Sequence, residues 1–121
     1  MNHKNTDIPI IKNLYELYKT FYRYSKFFPK KDKYTLAAKC EMYIINALEL
    51  LLEASCVPAR EKLNLIKKAN TKFDALKLFI RLLKDLNIIE DKKYLELQKQ
   101  IQEIGKMIGG WQRSLSNQLY P

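Results

Sequence analysis

Any chemistry in this chain must come from lysines, arginines and aromatic rings, because the residues that usually build an active site are thin. The one histidine, His3, stands in a polar leading segment with no nucleophile at triad spacing, a poor setting for a general base. Glu41, Glu49 and Glu53 recur on one helical stretch, and carboxylates can bridge metals inside a bundle. Such centres draw on Glu-x-x-His pairs, and the chain has none. A solvated or salt-bridged helix face is the expectation instead. Cys40 and Cys56 have no CxxC partner and no histidine at ligand spacing, so reduced thiols are expected and zinc is not. Gly105 to Gly110 spells GxxxxG, but Trp-Gln follows where a phosphate-binding loop needs Lys-Ser or Lys-Thr. The reading is no enzyme, no cofactor and no metal.

Charge says more. Lys and Arg number 22 against 13 Asp and Glu, a net charge of +9. On a 14.4 kDa chain that bias predicts a positive field and a polyanionic partner, RNA, DNA or an anionic membrane surface. Tyr22, Tyr24 and Tyr34 interleave with Arg23, Lys26, Lys30, Lys31 and Lys33. That mixture suits single-stranded nucleic acid, where stacking contributes roughly 1–3 kcal/mol per base. Core packing competes for every aromatic at helical spacing. A membrane-surface role needs an apolar face free of packing, and here the core claims those faces. No run of apolar residues is long enough to span a bilayer, and MNHKNTDIP has no apolar centre to act as a signal peptide. A cytoplasmic protein is expected.

The elements that must position these groups are helices. The chain has 121 residues with three glycines, four prolines and no long β-branched alternation, which suits one all-helical domain over 1–121, with 1–7 and 116–121 as flexible tails. Asp7 is a candidate N-cap, with Pro9 in the first turn. Ile11, Leu14, Tyr18, Phe21 and Phe28 then mark a helical face interrupted at Ser25, ending where Pro29 disfavours helix in the residue before it. Asp32 can cap a second helix that runs to about Ala54, with Ala37, Cys40, Ile44, Ala47, Leu51 and Ala54 as its stripe. Pro58 breaks the chain. A third helix, about Ala59 to Leu86, carries Ile66, Ala69, Phe73, Leu76, Ile80 and Leu83, and Asn87 stops it. Glu90 or Asp91 caps a fourth, whose stripe Tyr94, Leu97, Ile101, Ile104, Ile108, Trp111 and Leu115 alternates steps of three and four. Four such helices with short connections predict an up-down-up-down four-helix bundle.

Two features exceed a plain bundle. Leu50, Leu52, Leu78 and Leu82 fall beside or opposite the stripes and are candidates for an intermolecular face. All three glycines lie in the fourth helical stretch, each costing a helix interior about 0.5–1 kcal/mol relative to alanine. Gly105 and Gly109 share a side and leave a bare strip where another backbone can approach, next to Trp111. Gly109-Gly110 is equally readable as a helix terminator.

Three blocks carry a family resemblance. Phe28-Pro29-Lys30 with Tyr34-Thr35-Leu36, the stretch FDALKLFIRLLKDLNII, and the ending EIGKMIGGWQRS together resemble the accessory variability determinant (Avd) proteins of diversity-generating retroelements. The wider group is the four-helix-bundle proteins encoded in intervening sequences of 23S ribosomal RNA genes. The similarity runs over about Ile8 to Ser114; Ala37 departs from it, where the pattern would have glycine. The resemblance implies a homopentameric ring or barrel of bundles. It also implies a non-enzymatic role, binding the retroelement's reverse transcriptase and template RNA or cDNA to support mutagenic reverse transcription. Transferred to this chain, Lys30, Arg81, Lys106 and Arg113 become candidates for nucleic-acid or reverse-transcriptase contact, and Lys31, Lys33 and Lys84 join them as their neighbours. The surplus leucines Leu50, Leu52, Leu78 and Leu82, and the strip of Gly105 and Gly109 beside Trp111, remain on their own pattern the candidates for oligomer or partner docking. The alternative is a basic intervening-sequence bundle that binds nucleic acid with no retroelement role.

Overall fold

Amphipathic stripes of this length form helices because burying one face against another outweighs marginal intrinsic propensity. The computed structural model describes residues 7–121. Four long helices make up its body: α1 Asp7–Ser25, α2 Ala38–Ala54, α3 Ala59–Asp85 and α4 Asp91–Leu119. No strand occurs among the described residues. α1 packs on α2, α2 on α3, α3 on α4 and α4 on α1, which closes the square of an antiparallel bundle.

The stripes of α2 and α3 are buried as expected, and Leu63 extends the latter by one turn. In α4 all the stripe residues are buried except Trp111, which is half-buried against the core. The stripe of α1 is different. Its buried apolar residues are Ile10, Leu14, Leu17 and Phe21, while Ile11 and Tyr18 are half-buried at the edge. Leu14, Phe21 and Phe28 are inward as expected; apolar and aromatic residues on both sides of α1 make its period ambiguous, and packing puts Ile10 and Leu17 inward in place of their neighbours Ile11 and Tyr18.

The corner between α1 and α2 also departs from expectation. α1 ends at Ser25, before Phe28, because tighter bonds take over: the Ser25 hydroxyl donates to the Tyr22 carbonyl at 3.0 Å and the Phe28 N–H to the Ser25 carbonyl at 3.1 Å. Phe28 tucks inward edge-on to Phe21, ring centroids 6.0 Å apart, and anchors the corner. A single helical turn, Lys30–Asp32, follows, then a π-helical turn, Lys33–Ala37, that runs into α2. Asp32 does not cap this helix. Pro29 holds the N-cap position, and Asp32 lies inside the turn, buried. The methyl of Ala37 is fully buried at the start of α2.

Other ends follow the chain's turn chemistry. Asn87 takes a left-handed φ of 58°. Its N–H donates to the Lys84 carbonyl and that of Ile88 to the Leu83 carbonyl, each at 2.9 Å, a Schellman closure that satisfies the last carbonyls of α3. Glu90 occupies the N-cap of α4 without a side-chain cap bond, and Asp91 begins the helix. Asp7 is the first residue of α1 and not its cap; His3 and the rest of 1–6 lie outside the described residues. α4 does not stop at Gly109-Gly110. It continues past Leu115 to Leu119, whose side chain packs on the core.

Candidate nucleic-acid interface

The square topology brings the end of α1, the turns 30–37, the end of α3 and the start of α4 to one end of the bundle. Five of the sequence-predicted basic residues therefore gather there. Lys30 and Lys31 are exposed and Lys33 half-buried. Arg81 is exposed and paired with Asp85 at 3.2 Å, which raises its pKa further. Lys84 is half-buried, its Nζ 5.3 Å from the Tyr94 ring centre. Lys26, Lys92 and Lys93 join them. The structure does not bring Lys106 and Arg113 to this end; both lie farther along α4, exposed.

Aromatic rings lie among these cations. A groove of about 350 Å³ is lined by Tyr24, Phe27, Phe28, Ile88, Ile89, Glu90 and Lys93. Phe27 is 76% exposed at its edge. The Lys93 ammonium sits 4.6 Å from the Phe27 ring centre and 5.4 Å from that of Tyr24, while Glu90 holds it from the side at 3.3 Å. Lys26 similarly lies 5.1 Å from the Tyr22 ring centre, and Tyr34 is exposed nearby. A cation over one face of an exposed ring leaves the other face free for a base, with positive charge close to where its phosphate would run. Phe27 and Lys93 were not singled out from the sequence. They meet only because the bundle folds α4 back beside the end of α1, a juxtaposition no local pattern encodes.

The opposite character appears in the groove between α1 and α4. It is about 260 Å³, lined by Asn13, Glu16, Glu96, Lys99, Gln100, Glu103 and Ile104. Its carboxylates repel phosphate, so the chain's charge is segregated and not uniform.

The predicted docking residues divide. Leu52, Leu78 and Leu82 are 48%, 67% and 38% exposed, whereas Leu50 is half-buried against the core. Trp111 closes the core's edge and receives the Nζ of the buried Lys62 at 5.6 Å from its ring centre. Among the described residues no backbone approaches the glycine strip. A Cβ on Gly105 would meet Lys77 and Phe73 side-chain atoms at 3.5–3.9 Å. On Gly109 and Gly110 it would meet only the Arg113 guanidinium, at 3.4 and 3.9 Å.

Titration adds little to this surface. Burial, and secondarily the Glu41 charge, pushes the Cys40 thiol up to about 12. Burial also raises Tyr18, whose hydroxyl donates to Glu41 at 3.0 Å. Cys56 is free and exposed. Among the described residues no group of three or more His, Cys, Asp or Glu side chains is placed to hold a metal ion. No described helix is long and apolar enough to cross a membrane.

No curated protein matches the chain. A family model described as bAvd-like matches residues 9–115. That span takes in α2 and α3 whole, most of α1 and α4, and the three blocks that carry the resemblance. The chain therefore belongs to the bAvd-like family, a family of accessory proteins without catalytic activity.

Proposed function

We propose that this chain is the accessory factor of a diversity-generating retroelement. In this reading it binds the element's reverse transcriptase together with template RNA or cDNA, and supports mutagenic reverse transcription from a homopentameric ring in the cytoplasm. Family membership supports the retroelement setting. The observation that carries the nucleic-acid part is the basic, aromatic-lined end of the bundle, which gathers Lys30, Lys31, Lys33, Arg81 and Lys84 and where Lys93 lies against the exposed Phe27. A ring of copies would repeat that end around its axis and concentrate the field on one rim.

The test is RNA binding measured across salt. Each phosphate neutralised on a single strand contributes about −0.7 to the log–log slope. Reversing Lys30, Lys31 and Lys33 to glutamate is expected to weaken binding and flatten that slope by about 2 if each contacts one phosphate. An unchanged slope would remove this surface from the account.

A further inference from the structure

α2 and α3 each carry an apolar row that the bundle leaves uncovered. On α2, Met42 and Leu52 are each 48% exposed, and Ile45 between them belongs neither to the core nor to the apolar side chains packed against it. On α3 the row is Ala75, Leu78 and Leu82, with Leu78 67% exposed. Helical spacing puts each row on the side of its helix away from the core stripe.

The rows match in step and oppose in charge. Going backward along α2 from Glu53, the positions Glu49, Ile45, Met42 and Ala38 follow at steps of 4, 4, 3 and 4. Going forward along α3 from Lys67, the positions Thr71, Ala75, Leu78 and Leu82 follow at the same steps. Antiparallel alignment sets Lys67 on Glu53, Ala75 on Ile45, Leu78 on Met42 and Leu82 on Ala38, so that a small residue faces a large one at the first and last apolar levels and two large ones meet between them. The distance from the charged level to the Leu78–Met42 level is about 16 Å on both helices, from 1.5 Å per residue. Among the described residues Glu49, Glu53, Lys67 and Lys68 have no ion-pair partner within the chain. α2 is the acidic helix of a basic molecule, with Glu41, Glu49 and Glu53 against Lys39.

We infer that copies of this chain meet head to tail, the outer row of α3 on one copy lying antiparallel on the outer row of α2 of the next. Two unlike patches per subunit make a heterologous contact, the kind that closes into a ring when its rotation permits. The inference rests on the self-assembly contained in the proposed function and assigns the surfaces that build it.

Leu78→Glu spoils the α3 patch and Met42→Glu the α2 patch, while both side chains are exposed enough for the fold to persist. The wild-type chain is expected to assemble, and each variant alone to elute as a folded monomer by light scattering and circular dichroism. Mixed, the two are expected to form a 1:1 heterodimer and nothing larger, because the pair retains one good contact. In a parallel experiment Lys67→Glu weakens assembly and adding Glu53→Lys to the same chain restores it, which keeps the inference testable if a leucine or methionine variant fails to fold. A wild-type chain that is monomeric at every concentration overturns self-assembly and this inference with it. A wild-type assembly with both variants still assembled overturns the assigned surfaces alone, as does a mixture in which both variants stay monomeric.

Discussion

Replacing Gly109 and Gly110 by alanine should make the bundle more stable. Both lie inside α4, ten and nine residues before its last residue, Leu119. Neither has a positive φ. The added methyl groups would touch only the Arg113 guanidinium, at 3.4 and 3.9 Å, the far end of a flexible and exposed side chain that can move aside. Nothing is lost from the core, and each site gains the propensity difference between glycine and alanine in a helix interior, about 0.5–1 kcal/mol. The pair should therefore add about 1–2 kcal/mol. For a domain of this size that is an upward shift in Tm of about 4–10 °C. Thermal melts followed by circular dichroism, without any partner present, read it directly. An unchanged or lowered Tm would refute the reasoning, since it would mean that the glycines answer to something within the single chain. The prediction also separates folding from docking. A strip kept bare for a partner's backbone should lose partner affinity in the same variant that gains stability.

The remaining expectations concern thiols and one helix end. In the native chain a thiol reagent should modify Cys56 and leave Cys40 untouched between neutral pH and pH 9, with both reacting in denaturant; modification of Cys40 in the native chain would contradict its burial. Because the folded value of Cys40 is raised from 9.0 to about 12, its contribution to stability is intact below pH 9 and is lost only as pH rises through that interval. Asn87→Val should destabilise the bundle by about 1–2 kcal/mol in chemical denaturation, because a β-branched residue resists the left-handed conformation that closes α3. Asn87→Gly should be neutral or stabilising, and a loss there would argue against the backbone assignment.

The bundle was legible where one period dominated. In α2, α3 and most of α4 the apolar residues recur at helical spacing with charged neighbours between them, so stripe and burial coincide. α1 was harder. Ile10 and Ile11, or Leu17 and Tyr18, are adjacent candidates for the same inward position, and only packing against the other helices chooses. The π-helical turn at Lys33–Ala37 has no simple residue signature, and Asp32 reads as a cap although Pro29, three residues earlier, takes that place. Gly109-Gly110 reads equally as a terminator, and the helix continues because Leu115 and Leu119 still have core to cover. On the candidate interface, the lysines of the first corner were visible as a run. Their meeting with Lys93 across the groove beside Phe27 is a property of topology.

The central claim is tested most directly by co-expressing the tagged chain with the reverse transcriptase and template RNA of the proposed retroelement and weighing what elutes at moderate salt. The account predicts a stable complex of one polymerase with five copies of this 14.4 kDa chain, sensitive to reversal of Lys30, Lys31 and Lys33. A chain that elutes free of the polymerase, with or without RNA, would contradict it.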